Sequence, residues 1–89
     1  GVKVRAVRVD HYAIADGNPA HGFIDISVRI REGRDLETKK QAVDAIFNAA
    51  NDFVSPIMQK RSLALSVELR DITAELAPKS GTIRKYLGA

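Results

Sequence analysis

Apolar and polar residues alternate along three stretches of the 89-residue chain; along a fourth, longer stretch the apolar ones recur every three or four places. Alternation marks a strand with one covered face, and the wider spacing marks an amphipathic helix. Over residues 2–14, Val2, Val4 and Ala6 alternate with Lys3 and Arg5. The phase then slips, so that Val7 and Val9 alternate with Arg8 and Asp10. This predicts a first strand with a β-bulge near residues 6 and 7, because a one-residue slip sends side chains to the other face. Asp16-Gly17-Asn18-Pro19 is a dense turn signal and predicts a hairpin-like loop. A second strand is predicted over residues 23–30. Ile24, Ile26, Val28 and Ile30 face one way, and Asp25, Ser27 and Arg29 the other.

Arg31-Glu32-Gly33-Arg34 breaks that alternation. Asp35 is then a fitting N-cap, and Glu37 lies in the first turn, where the helix dipole favours an anion. Leu36, Val43, Ile46, Phe47, Ala50, Phe53, Val54 and Ile57 predict a long amphipathic helix. Pro56 lacks the amide hydrogen the helix needs, so it should kink the helix or end it. Leu63, Leu65, Val67 and Leu69 alternate with Ala64, Ser66, Glu68 and Arg70, which predicts a third strand. Residues 72–89 form a tail with Pro78 and Gly81 and a short helix around 83–87. The order is β-β-α-β, an α+β class. A long helix between two strands is the crossover that makes them parallel.

Composition narrows the functional classes. Hydrophobic residues make up 45% and charged residues 28%, ordinary for a folded domain. A chain this short buries only about 60–65% of its unfolded surface, so its core is thin. The absence of cysteine excludes disulfides and thiolate metal sites, which leaves oligomerisation as the expected support. No apolar run approaches the ~20 residues of a membrane helix. The opening residues carry no signal-peptide or lipidation pattern, so no membrane partner is expected and a cytoplasmic location is. A net charge of +3 is too mild to argue for nucleic acid.

The loop Arg31-Glu32-Gly33-Arg34-Asp35, following a strand and opening a helix, resembles the acidic-Gly-Arg loop of the tautomerase superfamily. Lys3 to Arg5, Val9-Asp10, Ala15-Asp16-Gly17, Gly33-Arg34, Leu36-Glu37 and Arg61-Ser62-Leu63-Ala64-Leu65-Ser66 extend the match. Together they look like the 5-carboxymethyl-2-hydroxymuconate isomerase family over nearly the whole chain. The resemblance implies a tautomerase-like sheet with one long crossover helix, part of a trimeric barrel. It implies a homotrimer that moves a proton within a small dienol carboxylate in aromatic compound catabolism, with no metal or organic cofactor. The general base of such enzymes is an N-terminal proline, and arginines hold the substrate carboxylates.

Residue 1 here is glycine, and the nitrogens of Pro19, Pro56 and Pro78 are tertiary amides without basicity. Family members carry about one further strand and helix ahead of the matched part. The resemblance therefore implies a single tautomerase-like domain over 1–89 that lacks an N-terminal strand and helix, and with it the catalytic base.

By the same resemblance, Arg34 is the candidate catalytic residue for substrate and oxyanion binding, since a guanidinium suits a carboxylate. Lys3 and Arg5 are candidate substrate-binding cations; Lys3 keeps the charge of an arginine but not its fork. His11 and His21 flank the turn, yet with Asp10, Asp16 or Asp25 they make no diagnostic metal spacing, so no metal is assigned. Tyr12, Phe23, Phe47 and Phe53 read as core or interface groups. In the tail, Lys79, Arg84, Lys85 and Tyr86 form a small basic cluster that the resemblance assigns to packing on a neighbouring subunit. Two rival readings are a non-catalytic anion- or RNA-binding β-α-β module and a structural assembly subunit. The sheet lacks the exposed aromatics on which RNA-binding sheets stack bases, Phe23 being the one aromatic in either clean strand.

Overall fold

The computed structural model describes residues 2–88. Its regular elements are β1 (Gly22–Arg31), α1 (Leu36–Met58) and β2 (Leu63–Ile72), followed by short 3-10 turns at Ala74–Leu76 and Ile83–Tyr86. The two strands are parallel, in register from Gly22 opposite Leu63 to Arg31 opposite Ile72. This is the β-α-β crossover expected from a long helix between two strands. Half-buried Ile26, Val28 and Ile30 on β1 and Leu63, Leu65, Val67 and Leu69 on β2 share the face that meets the helix.

α1 starts where the sequence placed its cap. The Asp35 carboxylate accepts the Thr38 backbone N–H at 2.8 Å. The helix continues two residues past Pro56 and closes with the Gln59 N–H on the Ser55 carbonyl. Pro56 therefore sits in the last turn, where its missing N–H takes the helical partner from the Asp52 carbonyl but only two more helical residues follow. The covered stripe runs through Lys39, Ala42, Val43, Ile46, Ala50, Val54 and Met58. Val54, at 4% exposure, is the one buried residue among the described residues. Leu36 and Phe53, expected on the apolar face, are 70% and 81% exposed. Phe53 precedes the buried Val54 by one residue, which turns it about 100° away from the sheet. Tyr12, Phe23 and Phe47 are likewise exposed, so none of the four aromatics is core within one chain.

The first predicted strand does not form. Residues 2–9 have no regular structure, and among the described residues they make no backbone hydrogen bond, so neither the bulge nor a hairpin forms there. The order is β-α-β rather than β-β-α-β. Alternation prepares a strand, but a ladder needs a neighbour, and β1 pairs with β2 instead. Val2, Val4 and Val7 stand 94%, 90% and 78% exposed. The radius of gyration is 16.8 Å, against about 12 Å for a compact domain of this length. The turn signal itself is correct: the Gly17 N–H reaches the Ile14 carbonyl at 2.8 Å, with Ala15 and Gly17 at positive φ.

Candidate functional site

In open parallel sheets, binding sites gather at the carboxyl ends of the strands. Here that end is built by the loop from Arg31 to Asp35. The Glu32 N–H donates to the Ile72 carbonyl at 3.2 Å, so the ladder runs one residue beyond β1. The Glu32 carboxylate accepts the Ala74 N–H at 3.2 Å, tying the loop to the chain leaving β2. Gly33 then turns at φ 110°, a conformation that side-chain-bearing residues avoid. Asp35 anchors the other end as the helix cap. Hydrogen bonds from the Thr38 side chain and backbone hold its carboxyl below the usual carboxylate range.

Arg34 sits between these two anchors. Its guanidinium donates from Nη1 to the Arg31 carbonyl at 2.9 Å and is exposed. One bond to a carbonyl leaves most of its five donors available to a carboxylate ligand. Next to the loop, Lys39 in the first turn of α1 bridges to Asp71 at the end of β2, with Nζ to Oδ2 at 3.2 Å. Leu36, Lys40, Val43 and Leu69 join this pair in lining an open groove between helix and strand. Arg34 does not line that groove.

Lys3 and Arg5 lie on the irregular N-terminal segment and are exposed. Among the described residues, no hydrogen bond or ion pair links either one to the Arg31–Asp35 loop. Glu32, Lys39 and Asp71 were not among the candidates. Glu32 belongs to the Glu-Gly-Arg string and was within reach of the sequence. The Lys39–Asp71 pair spans 32 residues and depends on the crossover.

The family model for 5-carboxymethyl-2-hydroxymuconate isomerase matches residues 1–87. The chain belongs to this family. It is 29% identical over 83 residues to the 5-carboxymethyl-2-hydroxymuconate Delta-isomerase of Escherichia coli, covering 93% of this chain and 66% of that protein. Its fold superimposes with a TM-score of 0.87 on the crystal structure of a 5-carboxymethyl-2-hydroxymuconate isomerase from Deinococcus radiodurans R1. That match has 30% identity and covers 99% of this chain and 67% of that one. The chain thus spans about two-thirds of the length of both relatives. The isomerase-family match extends through residues 2–9, so that irregular segment belongs to the family's pattern as much as the β-α-β body does. No helix among the described residues is long and apolar enough to cross a membrane.

Proposed function

We propose that this chain is part of a cofactor-free isomerase that moves a proton within a dienol carboxylate of the 5-carboxymethyl-2-hydroxymuconate type. The observation that carries the reading is the family match over 87 residues combined with the anchored loop that presents Arg34. Arg34 binds a substrate carboxylate and favours negative charge building on the carbonyl oxygen during enolisation. Lys3 and Arg5 supply further carboxylate contacts when subunits assemble. They lie on a segment without regular structure, and the reading places them against a neighbouring subunit. A homotrimer in the cytoplasm is part of the same reading.

The base is assigned to an N-terminal proline among the third of the relatives' length that these 89 residues do not span. A secondary amine of suitable basicity takes the proton from the dienol hydroxyl and delivers it to a carbon of the diene, so no net proton is consumed.

The test follows the loss of dienol ultraviolet absorbance with the product of the complete reading frame. Arg34→Ala should lower kcat/KM by about 10- to 100-fold, the loss of one charge-assisted carboxylate contact. Arg34→Lys should recover only part of that loss. Absence of any acceleration by the unmutated protein would overturn the isomerase reading.

A further inference from the structure

At the opposite end of the sheet, the register of Gly22 with Leu63 sets His21 beside Ser62, 41 residues apart in sequence. The Gly22 N–H donates to the Ser62 carbonyl at 2.9 Å, which fixes the serine backbone. His21 Nδ1 lies 2.7 Å from Ser62 Oγ, and His21 Nε2 lies 2.9 Å from Asp16 Oδ1. Asp16 is brought there by the 15–21 turn, in which its Oδ1 also accepts the Asn18 N–H at 3.0 Å. An ionised carboxylate only accepts hydrogen bonds, so Nε2 carries a proton. In the neutral ring Nδ1 is then the acceptor, and the serine hydroxyl donates to it. Serine, imidazole and carboxylate thus form one directional chain, with the hydroxyl exposed and the imidazole side chain 25% exposed.

We propose that Ser62 is an oxygen nucleophile, with His21 as its base and Asp16 as the group that orients the ring, for acyl transfer from small esters. The geometry follows the nucleophile–base–orienter logic, with the two ring nitrogens exchanged relative to the serine-protease arrangement. Ser62 Oγ bonds to the ester carbonyl carbon and the ester C–O bond breaks. The hydroxyl proton passes to His21 Nδ1 and from there to the departing alkoxide. Water then cleaves the acyl-serine by the same route in reverse, so ester and water give acid and alcohol. Asp16 is suited to its part because the Asn18 N–H and then His21 hold its carboxyl below the usual range, keeping it ionised. The site stands roughly 30 Å from Arg34 along a ten-residue strand, so it is separate from the isomerase loop.

The experiment treats the purified protein with a fluorophosphonate probe and locates the adduct by tandem mass spectrometry. One adduct on Ser62 is expected. His21→Gln should slow labelling about 100-fold or more, and Asp16→Asn should slow it about 10-fold or more. Arg34→Ala should leave the rate unchanged. No adduct on Ser62, or an adduct that forms equally fast in His21→Gln, overturns the proposal and leaves the chain as a clasp of the turn. Because the protein has no cysteine, Ser62→Cys gives a second readout. The introduced thiol should be alkylated at least about 10-fold faster than one introduced by Ser55→Cys, since a nearby base raises the thiolate fraction. Equal rates would count against the proposal.

Discussion

Residues 2–9 and β1 carry much the same alternation of apolar and charged residues, yet one is an arm without regular structure and the other a strand. The difference lies in what stands beside them. β1 has β2 along its whole length and a helix over one face; the arm has neither. Alternation specifies which side of a strand is to be covered. It supplies neither the ladder nor the cover. The same contrast divides the proposed site, since Arg34 is held at both ends of its loop while Lys3 and Arg5 make no hydrogen bond or ion pair among the described residues.

The contrast can be broken by placing a charge in each region. Val54→Asp should destabilise the body by about 3–5 kcal/mol, the effect of an unpaired charge in the buried position, and abolish the thermal transition. Val4→Asp, in a side chain 90% exposed, should change stability by no more than about 0.5 kcal/mol. Circular dichroism melts of both variants decide the matter. A large loss at Val4 would mean that the arm is paired in the assembled protein, and the contrast would then belong to the single chain alone.

A smaller effect tests how rigidly the body presents its arginine. Gly33 has open space where a side chain would go, so a substitution there acts through backbone strain alone. Gly33→Ala should cost about 1–3 kcal/mol and lower isomerase turnover as well, because the loop must shift to relieve a φ of 110°. An unchanged melt with unchanged turnover would show that the loop is pliable and that its anchors do not set Arg34.

The smallest effect is the pH dependence of the cap. Asp35 is ionised more readily in the folded chain than at its ordinary value of 3.8. Its contribution to stability is therefore complete above that value and is lost as pH falls through the lower folded one. Between about pH 5 and pH 2, the melting temperature of the natural chain should fall more than that of Asp35→Asn. Parallel curves would mean that the cap does not tighten the helix.

The strands β1 and β2, the helix and its Asp35 cap were readable because each rests on local spacing. Four alternating aliphatic residues, a turn signal and an acidic cap need no knowledge of distant residues. The outward turn of Phe53 was not readable, since Phe47, Phe53 and Val54 all satisfy a three-to-four spacing and only the approach of the sheet selects Val54. Arg34 stood out through the Glu-Gly-Arg string, which is contiguous in the chain. The anchoring of the loop by Glu32 on Ala74 was not, because it joins residues 42 apart.

By itself the sequence determined the β-α-β body, the family and the position of one arginine at the head of a helix, all from short-range periodicity and a contiguous motif. The tertiary structure alone decided that residues 2–9 form no strand and that, among the described residues, Val54 is the one sealed from water. It alone placed His21 between Asp16 and Ser62. Each of these depends on which distant segments come to lie together. Strand pairing, burial and a hydrogen-bond relay across 41 residues are set by register, and no spacing along the chain encodes register.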